Sequence, residues 1–155
     1  MIPARANLGE TVAQCVARYG RPVGYSEAGP SNPFGTVVFA AGGYTLMVFL
    51  IGDKEVGARV AKQDKSAFSD AELKTIMDAD LGSTPWTSTK SEDPGTQRWT
   101  RADQATILYD KEKHVLIFTA KAMYDAVHQP APATTAPTPI APQVARPAGS
   151  QPGAP

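Results

Sequence analysis

The chain has 155 residues and a mass of 16.4 kDa, enough for one domain or two very small ones. Lys+Arg and Asp+Glu number 15 each, so the formal net charge is zero, and no cationic excess suggests a nucleic-acid partner. The single cysteine excludes an intramolecular disulfide framework and a Cys-based zinc site.

The first residues, Met1-Ile2-Pro3-Ala4-Arg5-Ala6, carry the small-x-small form of a secretory cleavage site at Ala4-Arg5-Ala6. Residues 1–6 therefore read as a leader or the remnant of a signal peptide, and the expectation is export. Thr11 and Gln14 then make a capping box, and Val12, Cys15, Val16 and Tyr19 recur at helical spacing. Gly20 fits the left-handed end of that helix, and Pro22 stops it. The span Gly24 to Gly35, with three glycines and two prolines, reads as loop.

Thr36–Ala41 and Tyr44–Ile51 are β-branched and aromatic runs joined by Gly42-Gly43, the signature of a tight hairpin. Together they are too short, and too broken by glycine, for the roughly 18 apolar residues of a membrane helix. A turn at Gly52-Asp53-Lys54-Glu55 leads into Val56–Lys62 and completes a three-stranded meander. Ser69 and Glu72 form a second capping box, with Phe68 and Leu73 placed as a hydrophobic staple across it. Leu73, Ile76 and Met77 supply the buried stripe, and Gly82 ends the helix. Trp86 opens an edge strand, and Ser91–Gly95 is loop. Gln97–Arg101, Ala105–Tyr109 and His114–Thr119 then make a second meander, and Ala120–His128 a short closing helix.

The turns Gly52-Asp-Lys-Glu-Val56 and Asp110-Lys-Glu-Lys-His114 resemble each other, as do the strand ends Ala61-Lys62 and Ala120-Lys121. A duplicated helix-plus-meander unit with a period near 60 residues, or one continuous sheet, would account for this. From residue 129 the composition changes: Pro130–Pro155 holds eight of the 14 prolines and one charge, Arg146. Such a segment cannot bury a core and reads as an extended tail, either a spacer or a docking peptide. The domain plan is thus a leader at 1–6, a folded α+β domain at 7–128 and a Pro/Ala-rich tail at 129–155.

Gly9-x-Thr11-x-x-Gln14, Cys15, Tyr19-Gly20 and Pro22 resemble the opening helix motif of the SmpA/OmlA outer-membrane lipoproteins. Ser31-Asn-Pro-Phe-Gly-Thr36, running into a strand, is similar to that family's entry to its sheet. The wider group includes the fold of the β-lactamase inhibitory protein. The resemblance covers about 50 residues. It implies a small exported α+β domain that works by protein–protein contact in the periplasm or outside the cell. No cysteine is placed for lipidation, and the proline tail is foreign to the pattern.

Convergent chemistry is sparse. Cys15, on an apolar stripe, reads as a small buried hydrophobe. His114 begins a strand, His128 sits near a helix end, and Asp78 and Asp80 do not match a calcium loop. No phosphate-cradling glycine motif and no nucleophile elbow occur. Tyr25, Phe34, Trp86 and Trp99 are the candidate binding residues, because aromatic side chains dominate interface energetics. Trp86 and Trp99 would alternatively close the core.

The sequence therefore points to a non-enzymatic, exported protein-binding or envelope-associated module with no cofactor. Such a module would offer a sheet face or edge to a protein partner. Its rivals are an inhibitor of a secreted hydrolase acting through Ser26–Phe34 or Ser88–Thr96, and a weak enzyme with His114 or His128 as base.

Overall fold

The computed structural model describes residues 7–80 and 84–128. The leader, Gly82 and the proline tail lie outside the described residues. Three helices accompany eight strands, in the order α1 (Val12–Tyr19), β1 (Gly24–Ser26), β2 (Gly35–Ala41), β3 (Tyr44–Ile51), β4 (Lys54–Lys62), α2 (Asp70–Ala79), β5 (Thr87–Thr89), β6 (Thr96–Thr100), β7 (Thr106–Asp110), β8 (Val115–Thr119) and α3 (Lys121–His128). The class is α+β. The strands form one antiparallel sheet in the order β1-β2-β3-β4-β8-β7-β6-β5, so the last strand of each run meets the other at the centre.

Both capping boxes form. Thr11 and Ser69 accept from the backbones of Gln14 and Glu72, whose side chains accept from the cap backbones in return. Phe68 and Leu73 are both buried in the core, as a staple requires. Gly42 and Gly43 both take positive φ (58° and 85°), which the two-residue hairpin demands. Each run holds four strands, one more than the sequence pattern indicates in the first run and the expected edge strand plus meander in the second. Val23 donates to the Val38 carbonyl at 2.8 Å, and Gly24–Ser26, read from the sequence as loop, pairs with β2. Trp86 precedes β5 rather than opening it.

Alternation sorts the sheet into two faces. One face carries Val37, Phe39, Leu46, Val48, Ala58, Val60, Ile107, Tyr109, Leu116 and Phe118, packed beneath Cys15 and Tyr19 of α1 and Leu73 and Ile76 of α2. The ladder breaks register between Phe49 and Leu50, a bulge that sets Glu55 opposite Leu50 on this covered face and Gly57 opposite Phe49 on the other. α3 crosses the second face only at that end. Ala120 donates to the Val56 carbonyl at 2.8 Å, and a Cβ on Gly57 would overlap Met123 Sδ and lie 2.9 Å from the Phe118 carbonyl oxygen. No helix among the described residues is long and apolar enough to cross a membrane.

Candidate functional site

Two regions stand out: the sparsely covered second face of the sheet, and a polar nest beneath α1. On the second face the register aligns one rung across all eight strands: Gly24, Val38, Met47, Arg59, Ile117, Leu108, Arg98 and Thr89. Val38, Met47, Ile117 and Leu108 are half-buried, while Arg59 and Arg98 are exposed. Neither arginine forms an ion pair among the described residues. They are three strand spacings apart, or about 14 Å. Met47 and Arg59 also line a shallow cleft of about 280 Å³ with Thr45, Ala61 and Lys65.

The four aromatic candidates do not gather into one patch. Tyr25 is 67% exposed on edge strand β1. Phe34 is buried, its ring centroid 6.3 Å from that of Phe49, so it fills the α3 end of the second face and offers no contact area. Trp86 and Trp99 are half-buried against the core on the covered face, Trp86 edge-on to Phe118 at 6.3 Å. For the tryptophans, core closure describes the packing better than an exposed anchor does. They also line a cleft of about 660 Å³ with Met77, Asp78 and Pro85. Of the two loops considered for active-site insertion, 26–34 contains a Gly29–Asn32 bridge, and the other begins within β5.

The histidines sit apart from one another. His114 Nδ1 lies 2.8 Å from the Lys65 carbonyl oxygen, and His128 stacks on Tyr124 with Nδ1 2.8 Å from the Tyr124 carbonyl oxygen. Neither hydrogen-bonds a carboxylate among the described residues.

The polar nest was not visible in the sequence. Glu55, in a turn sequence that reads as exposed, is 2% exposed, because the bulge turns it under α1. Cys15 is 1% exposed and its thiol donates to Glu55 Oε2 at 3.6 Å. A thiol at that depth is not free to link two chains. Burial first, then the Glu55 and Glu10 charges, push the thiol up to about 12. Burial likewise pushes Glu55 up to about 8, against the Cys15 hydrogen bond, which pulls it down. Burial thus favours the protonated form of both groups.

Glu10 accepts both forks of Arg18 at 2.6 and 2.5 Å, and Asn7 Nδ2 donates to Glu10 Oε1 at 3.0 Å. Two backbone bonds, Gly9 to the Glu55 carbonyl and Glu55 to the Glu10 carbonyl, each 2.8 Å, pin this segment along β4.

A second buried charge cluster adjoins it. Arg101 Nη1 donates to Asp80 Oδ2 at 2.9 Å, and Nε and Nη2 donate to Asp103 at 2.9 and 2.8 Å. Its guanidinium lies 4.5 Å from the centre of the Trp86 ring. Burial raises Asp80 to about 6 against the attraction of Arg101. Asn7, Glu10, Asp80 and Arg101 line a shared cleft of about 280 Å³.

No family model matches the chain, and no curated protein matches it. Among solved structures, the chain is similar to a cysteine-rich secretory protein from Staphylococcus aureus, with 11% identity and a TM-score of 0.41. The match covers 75% of this chain and 45% of that one, so the chain spans less than half of that protein's length. A likeness at that level bears on neither fold nor function.

Proposed function

We propose that this chain is a non-enzymatic binding module that receives a protein partner on the second face of its sheet. The observation that carries the reading is the rung Val38-Met47-Arg59-Ile117-Leu108-Arg98: four half-buried apolar side chains in line with two guanidiniums that form no ion pair among the described residues. Apolar area supplies the burial energy of an interface, and guanidiniums fix its register by pairing with carboxylates. The partner is a surface with an apolar centre and two acidic groups about 14 Å apart. A sheet edge is the poorer platform, since both edge strands, β1 and β5, are three residues long.

The opening-helix resemblance to the SmpA/OmlA lipoproteins and the Ala4-Arg5-Ala6 motif support an exported, periplasmic or secreted location. The similar turns Gly52–Val56 and Asp110–His114 each join the third and fourth strands of their runs, which supports a duplicated helix-plus-meander origin.

A photo-crosslinking residue at Ile117, introduced in the native host, tests the binding face. One discrete protein adduct is expected, reduced at least tenfold by Arg59→Glu with Arg98→Glu. No adduct, or one indifferent to the charge reversals, would refute the reading.

A further inference from the structure

We infer that the nest of Glu10, Cys15, Glu55 and Asn7 is a binding site for one divalent metal ion of the zinc type, independent of the sheet face. Ligand atoms of Glu10, Cys15 and Glu55 lie within 4.8 Å of one another. Lone cysteines and paired acids are common without metal, but here unpartnered polar atoms accompany them. Among the described residues, Glu55 Oε1 and Asn7 Oδ1 are buried without a hydrogen-bond partner, as is Trp86 Nε1 outside the nest. Glu55 and Asn7 are 2% and 6% exposed, and Asn7 is tied to Glu10 through its amide nitrogen. A buried polar atom left unpaired is destabilising, so one on Glu55 beside the thiol and one on Asn7 beside Glu10 point to a missing species.

The donors fit a borderline ion. A thiolate excludes calcium and magnesium, which take oxygen shells of six or more ligands. One thiolate with two carboxylate oxygens gives three ligands of a four-coordinate zinc site and leaves the fourth position to water. A count of one cysteine rules out a multi-cysteine site, but not a thiol joined by carboxylates from β4 and the segment before α1.

The charges close. The ion brings two positive charges and Arg18 one, against thiolate, Glu55 and Glu10. Metal ligands bind in their deprotonated forms, so the thiol gives up its proton on binding and affinity rises with pH. Glu10 lines one surface cleft and Glu55 another, so two of the three ligand residues border solvent-filled clefts.

The test titrates the full chain, stripped with chelator and dialysed, with Co²⁺ and then Zn²⁺. One Co²⁺ per chain is expected, with a thiolate-to-cobalt charge-transfer absorption that Zn²⁺ displaces. Ten millimolar Mg²⁺ or Ca²⁺ should leave the absorption unchanged. Cys15→Ser should abolish the absorption, and Glu55→Gln should weaken binding beyond the 10–100-fold typical of losing an outer partner. If either variant fails to fold by circular dichroism, the wild-type absorption and stoichiometry still decide. Absence of the absorption at saturating Co²⁺, its persistence in folded Cys15→Ser, or a zinc-soaked crystal with only water at the orphan atoms would overturn the inference.

Discussion

Replacing Glu55 with glutamine isolates what its burial does to stability. In the metal-free protein the carboxyl is raised by burial from 4.5 to about 8. An acid whose folded value exceeds its unfolded value binds more protons folded than unfolded. Stability from this group is therefore greatest below about pH 4.5, falls through the interval, and is lowest above pH 8. At 1.36 kcal/mol per pH unit, that interval corresponds to about 5 kcal/mol. Glu55→Gln replaces the neutral acid with a neutral amide of nearly equal shape. At pH 5 the two proteins should differ by about 1 kcal/mol or less, as an isosteric change would. At pH 9 the variant should be the more stable by several kcal/mol. Urea unfolding with chelator at pH 5, 7 and 9 reads the difference. Parallel pH profiles for the two proteins would refute the burial of an ionisable Glu55 beneath α1.

Two other substitutions probe the framework. Arg101→Ala leaves Asp80 buried without its cation and should cost about 3–5 kcal/mol by denaturant midpoint, whereas an exposed pair such as Lys74–Asp78 contributes under about 1. Gly57→Ala drives a methyl into Met123 and the Phe118 carbonyl, so α3 should lift from the sheet, and trypsin should cleave after Lys121 much faster than in the wild type. An unchanged cleavage rate would contradict the packing of α3 on the second face.

The helices and long strands were legible because their signals are local. Thr11-x-x-Gln14 and Ser69-x-x-Glu72 announce helix starts through their own hydrogen bonds, and Gly42-Gly43 sets a hairpin whatever surrounds it. β1 escaped because three residues show no alternation, and pairing with β2 alone makes them a strand, whereas the edge strand expected from Trp86 exists as β5, one residue later. The polar nest escaped because its cause is tertiary. Glu55 follows Gly52-Asp-Lys in a hydrophilic turn, and only the bulge at Leu50 and the landing of α1 put it indoors. The same holds for the rung. Arg59 and Arg98 lie 39 positions apart in sequence, and their alignment follows from the junction of β4 with β8. The aromatic candidates illustrate the converse: residue type alone suggested contact sites, and packing distributed them among an edge, a core and a capped sheet end.

The most direct test of the sheet-face account compares photo-crosslinking from the two sides of the molecule in the native host. Probes at Met47 and Ile117 on the second face should yield the same protein adduct, and a probe at the exposed Thr75 of α2 on the opposite side should yield none. An adduct from Thr75 with silence at Met47 and Ile117 would contradict it.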